Sequence, residues 1–268
     1  MKNKRILYVS SELTPYLPSS RRADVSLDIP RLMQEKGSEV RIFMPRYGNI
    51  NERRHQLHEV IRLSGMNLVI NDMDQPLIIK VASVPKERLQ VYFIDNEEYF
   101  RGRGLEKDEA SGLYPDTDER AIFFAKGVLE TVKKLNWSPD IVHVNGPLCY
   151  ILPLYIKTQY KDDPAFADTK VVTSVFGGGF TGSLDGALVE KLAFDGIDEP
   201  VLAQPDYGNL TKTSLKYSDA VVVDSDANAA VVEETVKSRK LPCLKDYDEA
   251  PAGYSQYAAL YAEISNEE

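Results

Sequence analysis

Residues 9–25, VSSELTPYLPSSRRADV, carry the densest set of chemically capable side chains in the sequence. Glu12, Ser19, Ser20, Arg21, Arg22 and Asp24 share one loop between an apolar run and a helical one. A strand that passes through a loop into a helix opens many nucleotide-binding α/β domains, with phosphate seated at the helix N-terminus. Such loops present glycine backbone, whereas this one presents hydroxyls and guanidinium groups. Arg21 and Arg22 suit the grip of an anion, because the guanidinium fork matches paired oxygens. Charge pairs in loops also commonly do no more than solvate a surface. Asp24 has two roles open, contact with a sugar or phosphate-bound ligand and capping of the helix that follows.

A second set lies further along. His143 stands at the C-terminal end of an apolar run, IVHVN, where open α/β sheets bind ligands. A lone histidine there is either a ligand contact or a hydrogen-bonded core residue. Asn145 can hydrogen-bond a sugar hydroxyl or serve as a turn residue before Gly146-Pro147, but it cannot act as a general base. Gly177, Gly178 and Gly179 allow close backbone approach to a ligand, or form a flexible loop. His55 and His58 are spaced i, i+3, without neighbouring cysteine or carboxylate at ligand spacing, so no metal site is expected. Trp137, Tyr92, Tyr99 and Tyr114 can stack on sugar rings or pack into core and rim. No residue is singled out as catalytic, and no cofactor is expected.

The elements that position these groups follow from hydrophobic patterning. Short apolar runs at 6–10, 40–44, 140–144, 170–176 and 220–224 read as buried parallel strands. Val25, Ile29, Leu32 and Met33 recur at helical spacing, and Gly37 ends that helix. Residues 57–95 read as antiparallel or mixed strands. Asp118 opens a helix with Ala121, Phe124, Val128, Val132 and Leu135 on one face. Residues 148–158 and 210–217 read as helices, and 183–206 are weakly patterned. The alternation predicts one α/β domain, a three-layer αβα Rossmann-like unit with a mostly parallel sheet.

Bulk properties narrow the partners. The 268 residues suffice for a large core, and the net charge of −9 is spread along the chain. That balance argues against nucleic acid and membrane surfaces as general partners. Two cysteines, Cys149 and Cys243, are too few for a disulfide framework. The absence of a long apolar run and of a signal-peptide pattern leads to the expectation of a cytoplasmic protein.

Read together, the segments resemble the N-terminal half of the ADP-glucose type glycogen and starch synthases. Residues 5–25 align without gaps to the family opening V-S-S-E-x-x-P-x-x-K-T-G-G-L-A-D-V. PRYG at 45–48, VYFIDNEEYF at 91–100 and DERAIFFAKGVLE at 118–130 match in order. PDIVHVNGPLCYILPLYIK at 139–157 matches the family's P-D-I-I-H-x-H-D-W…L-P-L-Y, and YSDAVVVDS at 217–225 its Y-A-D-x-V-x-x-V-S. The resemblance implies half of a GT-B fold, glucosyl transfer from ADP-glucose to an α-1,4-glucan, and ligand contacts at Glu12, Ser20, Arg21, Asp24, His143, Asn145, Gly177 and Gly178.

The departures fall on the implied chemistry. Pro18 replaces the family lysine, and Ser20 and Arg21 replace the two glycines. Side chains there remove the positive-φ freedom and close approach that a diphosphate needs. Asn145 replaces the second histidine of H-x-H-D-W, and Gly146 and Pro147 replace its acid and tryptophan. Phe176 stands at the histidine of the family's T-I-H-N. The segment after 224 is too short for a second Rossmann domain. YSQYAALYAEI at 254–264 resembles the family's terminal helix, which crosses back onto the N-terminal domain. The division expected is a synthase-type domain over 1–240, then a linker and returning helix over 241–268. The functional expectation is weak or absent transferase activity by the chain alone. The alternative is a non-catalytic module that binds glucan, a protein partner or a second copy.

Overall fold

The computed structural model describes residues 1–85, 87–105, 112–177, 179–224, 229–245 and 254–265. The chain begins with β1 (Arg5–Ser10), α1 (Arg21–Glu35) and β2 (Glu39–Pro45). A short α2 (Glu52–His55) leads to β3 (His58–Glu59), β4 (Met66–Ile70), β5 (Met73–Ser83) and β6 (Gln90–Asp95). Then come α3 (Thr117–Lys134), β7 (Ile141–Asn145), α4 (Leu152–Lys157) and β8 (Lys170–Val175). The remainder is α5 (Leu188–Phe194), α6 (Tyr207–Lys216), β9 (Ala220–Val223), α7 (Ala229–Arg239), β10 (Cys243–Lys245) and α8 (Ser255–Ile264).

The main sheet runs β10-β9-β8-β7-β1-β2-β6-β5-β3, parallel from β10 to β6 and antiparallel beyond it. The fold is a three-layer α/β arrangement with a mostly parallel sheet. Tyr8 pairs with Ile42 on one side and His143 on the other, so β1 lies at the centre. Alternate side chains of a strand face opposite layers. Tyr8, Ser10, His143, Asn145 and Ser174 therefore share one face, and α1 and α8 cover it. The other face carries α3 and α6: Gly127 of α3 sits where a Cβ would meet Ile94 at 2.9 Å, and Ser214 of α6 bonds Thr173 at 2.9 Å. Close approach of α3 to the sheet thus explains a glycine in mid-helix.

Several boundaries differ from the sequence expectation. Ser20, not Asp24, caps α1, and its Oγ accepts from the Ala23 N–H at 3.1 Å. Both residue types favour that role, and the helix begins one turn earlier than the apolar pattern alone indicates. Replacing Ser20 by alanine is expected to lower stability by about 1 kcal/mol. A thermal or urea melt reads this, and an unchanged midpoint would show the cap to be idle. The helix read over 148–158 divides into a 3-10 turn at Pro147–Cys149 and α4, because prolines 147 and 153 break the run of N–H donors. Within the weakly patterned 183–206 stretch lies α5. It buries Leu188 and Leu192 in the core, and Lys191 Nζ meets Asp118 Oδ2 at 2.6 Å and Glu119 Oε1 at 2.9 Å at the start of α3. The strand at 220–223 is not the last, since β10 adds a parallel pair beyond it within the segment read as linker.

On the sheet face beside α1, helix α8 buries Tyr257, Leu260, Tyr261 and Ile264. Each such side chain contributes about 1.5–3 kcal/mol on leaving water. Trp137, Tyr92 and Tyr99 are core residues, with Arg41 stacked over Trp137 at 4.6 Å. Burial removes them from any sugar-stacking role. His55 packs against Tyr16 at 4.9 Å, and His58 lies in β3. Among the described residues no helix is long and apolar enough to cross a membrane.

Candidate ligand cleft at the strand ends

Because β1, β7, β8 and β9 run parallel, their C-terminal ends gather on one edge of the sheet. That is where the N-terminus of α1 arrives and where α/β folds bind ligands. A cleft with about 280 Å³ of space for water opens there, lined by Glu12, Ser20, Arg21, Arg22, Phe176, Gly177 and Asp224. Four of the sequence candidates, Glu12, Ser20, Arg21 and Gly177, thus meet in one place. Gly178 lies outside the described residues.

The charges in the cleft answer one another. Arg22 Nη1 donates to Glu12 Oε1 at 2.5 Å, and Ser20 Oγ donates to Glu12 Oε2 at 2.8 Å. Arg21 Nε lies 3.0 Å from Asp224 Oδ2, a carboxylate almost fully buried. Burial alone would pull the Arg22 guanidinium down, but the adjacent Glu12 carboxylate outweighs it and raises its pKa, so it stays charged. Two cations and two carboxylates thus form ion pairs across the lining. Such a site has little net positive potential to offer a diphosphate. Asp24 turns away from the cleft mouth to hold the loop, accepting from Thr14 Oγ1 and Ser19 Oγ, each at 2.7 Å.

Asn145 and His143 lie beneath this layer. Asn145 is fully buried, and its Nδ2 donates to Ser26 Oγ at 2.6 Å and to Arg22 O at 3.4 Å. It serves α1 as an internal strut, so the turn role is not its main one. The turn belongs to Gly146, with φ of +97°. A Cβ there would fall 1.9 Å from Ser11 Oγ, so both space and backbone conformation require glycine. His143 is also fully buried. Its Nδ1 bonds Tyr261 Oη and its Nε2 bonds Ser174 Oγ at 2.7 Å, with the Tyr8 ring 4.7 Å away. Both ring nitrogens are occupied, and burial depresses the imidazole pKa to about 3. In this arrangement His143 is a core histidine beneath α8, out of contact with the cleft.

Sequence reasoning missed Asp224 as a cleft residue. The available signal was its place at the C-terminal end of an apolar run. Its partner Arg21 is remote in sequence, so the pair itself left no local trace.

The profile of the starch synthase catalytic domain matches residues 5–238. The chain belongs to this family. It is 36% identical over 226 residues to a glycogen synthase of Chlorobium limicola, covering 84% of this chain and 46% of the relative. A glycogen synthase of Chlorobaculum parvum is 34% identical over 242 residues, covering 88% and 49%. The chain therefore spans about half the length of these curated relatives. The catalytic domain of starch synthase IV from Arabidopsis thaliana, solved bound to ADP and acarbose, superimposes with a TM-score of 0.74 at 15% identity. That alignment covers 92% of this chain and 52% of the plant chain, and it establishes the shared GT-B type fold. Within this starch synthase domain Ser20 and Arg21 both line the cleft.

Proposed function

We propose that this glycogen/starch synthase domain does not by itself transfer glucose from ADP-glucose to an α-1,4-glucan, and that it acts as a non-catalytic binding module in the cytoplasm. The observation that carries this reading is the pairing of Arg21 with Asp224 and of Arg22 with Glu12. A sugar nucleotide brings a diphosphate, which needs uncompensated cations and bare backbone N–H groups. Here each arginine already faces a carboxylate, and the Ser20 and Arg21 side chains stand where backbone approach is required. Burial of His143 supports the same reading, since it withdraws the remaining histidine of the family motif. Both cysteines are free, which fits a reducing compartment. We read residues 1–240 as the synthase-type domain and 241–268 as a linker and returning helix.

Calorimetric titration with ADP, ADP-glucose and maltoheptaose, paired with a radiolabelled glucose-transfer assay, tests this. The expected result is no label incorporated into glucan and no ADP binding tighter than millimolar. Time-dependent incorporation by the purified chain would overturn the proposal. Glucan binding without transfer would identify glucan as the ligand of the module. Silence toward all three compounds would direct the search to a protein partner.

A further inference from the structure

A second cleft, with about 270 Å³ of space for water, opens between α6, α7 and the turn at Pro200–Ala203. Arg239 in its wall reaches Ser218 O, just before β9 begins. The cleft therefore lies toward the N-terminal edge of the parallel strands, away from the loop at 9–25. The runs KTSLK at 212–216 and VKSRK at 236–240 bring Lys212, Lys216 and Arg239 to it, in a chain whose net charge is −9. Two carboxylates, Glu199 and Glu234, line it as well.

The state of each charge decides what the cleft can hold. Lys216 Nζ donates to Glu199 Oε2 at 2.7 Å, and Tyr217 Oη donates to the same oxygen at 2.7 Å. That pair is closed. Lys212 Nζ lies 3.8 Å from Glu234 Oε2, beyond hydrogen-bond reach, and the Glu234 side chain is 74% exposed. An exposed contact of that kind holds neither partner in place. Arg239 meets no carboxylate among the described residues. Its Nη1 donates to the carbonyls of Leu215 and Ser218, which fixes the guanidinium over the end of α6 and offsets the negative pole of that helix. A guanidinium has five N–H donors, and those on Nε and Nη2 have no acceptor among the described residues. Ser238 adds a hydroxyl at the wall, and the buried Thr213 adds another, whose Oγ1 has no hydrogen-bond partner among the described residues. Three cations stand against two carboxylates, with a fork and an ammonium left uncommitted. At the loop over 9–25, by contrast, each arginine faces its own carboxylate.

We propose that this cleft binds a small phosphate monoester, its dianion held between Arg239 and Lys212. The guanidinium fork matches two phosphate oxygens, and the lysine adds a point charge beside a third. Glu234, held by no hydrogen bond to Lys212, turns into solvent as the anion enters. The inference stands apart from the fate of glucosyl transfer, because the two clefts share no residue.

Amide NMR shifts of the intact chain, titrated with glycerol 3-phosphate, inorganic phosphate and glycerol at constant ionic strength, test it. Glycerol 3-phosphate is expected to saturate with a Kd of about 1–5 mM, as suits a partly exposed anion site. The shifts should map to α6 and α7, and glycerol should cause none. Inorganic phosphate binding as tightly as the ester supports recognition of the phosphate group alone, and weaker binding supports recognition of the ester. Arg239→Gln is expected to weaken glycerol 3-phosphate at least fivefold, Lys212→Gln to weaken it about threefold, and Glu234→Gln to strengthen it about threefold. Arg239 also caps α6, so if Arg239→Gln fails to melt cooperatively the other two variants carry the reading. The proposal is overturned if the parent shows no saturable shift, if the shifts centre on Arg21 and Arg22, or if the folded variants all bind as the parent does.

Discussion

Lowering the pH from 7 to 4.5 is expected to remove about 2–3 kcal/mol of folding stability through His143 alone. The imidazole is fully buried, with hydroxyls on both nitrogens and the rings of Tyr8, Tyr257 and Tyr261 around it. Burial depresses its pKa to about 3 from an ordinary 6.5. The sign follows directly. In the unfolded chain the ring takes up a proton below about pH 6.5, whereas in the folded chain it stays neutral until about pH 3. The stabilising contribution is therefore complete above pH 6.5 and is lost progressively as pH falls toward 3. Carboxylates such as Glu52 and Asp163, held below their ordinary range in the fold, add losses of their own in acid. His143→Asn isolates the histidine, because the amide remains neutral throughout. Urea unfolding of parent and variant at pH 7 and 4.5 should show the variant losing about 2–3 kcal/mol less over that interval. Equal losses in both proteins would place the acid sensitivity elsewhere.

Removing both cleft carboxylates should raise affinity for ADP by about 100-fold. Glu12→Gln with Asp224→Asn keeps the shape of the lining and leaves acceptors for Ser20, Arg21 and Arg22. It deletes two negative charges within the first layer of the cleft. At an effective dielectric between protein surface and water, a charge about 6 Å from a phosphate is worth about 1–2 kcal/mol, or about tenfold per carboxylate. The gain should shrink in high salt, as expected of partly exposed charges. Titration of ADP into the double variant reads it, with maltotriose as the uncharged comparison. An ADP affinity equal to that of the parent would mean that something other than the internal acids limits anion binding, such as the side chains at positions 20 and 21.

What the amino-acid pattern discloses differs from element to element for physical reasons. Strands buried on both faces read as continuous apolar runs, so β1, β7, β8 and β9 were visible to within one or two residues. The amphipathic stripe of α3 was equally plain. By contrast α5 is short: it buries only Leu188 and Leu192 at i, i+4 and adds the polar anchor of Lys191 on Asp118, too little periodicity to stand out. With only three residues, β10 is too short to show any pattern. The loop at 9–25 declared itself by composition, and its Glu12, Ser20 and Arg21 do meet Gly177 in one cleft. Its electrostatic state was hidden, because Asp224 reaches Arg21 only through the stacking order of parallel strands. His143 was hidden for a similar reason. Whether a histidine at a strand end meets a ligand or a neighbouring helix depends on Tyr261, which is 118 positions away.

That distance bears on how the molecule is made. The central strands β1 and β7 can pair early, but the face carrying Tyr8 and His143 stays wet until residue 264 has been synthesised and α8 has reached it. Contacts so remote in sequence slow folding, and half-covered sheets are the species on which aggregation and chaperone capture act. A nascent chain therefore keeps its central histidine in water from the time residue 143 is made until α8 arrives, and loses that access in one late step.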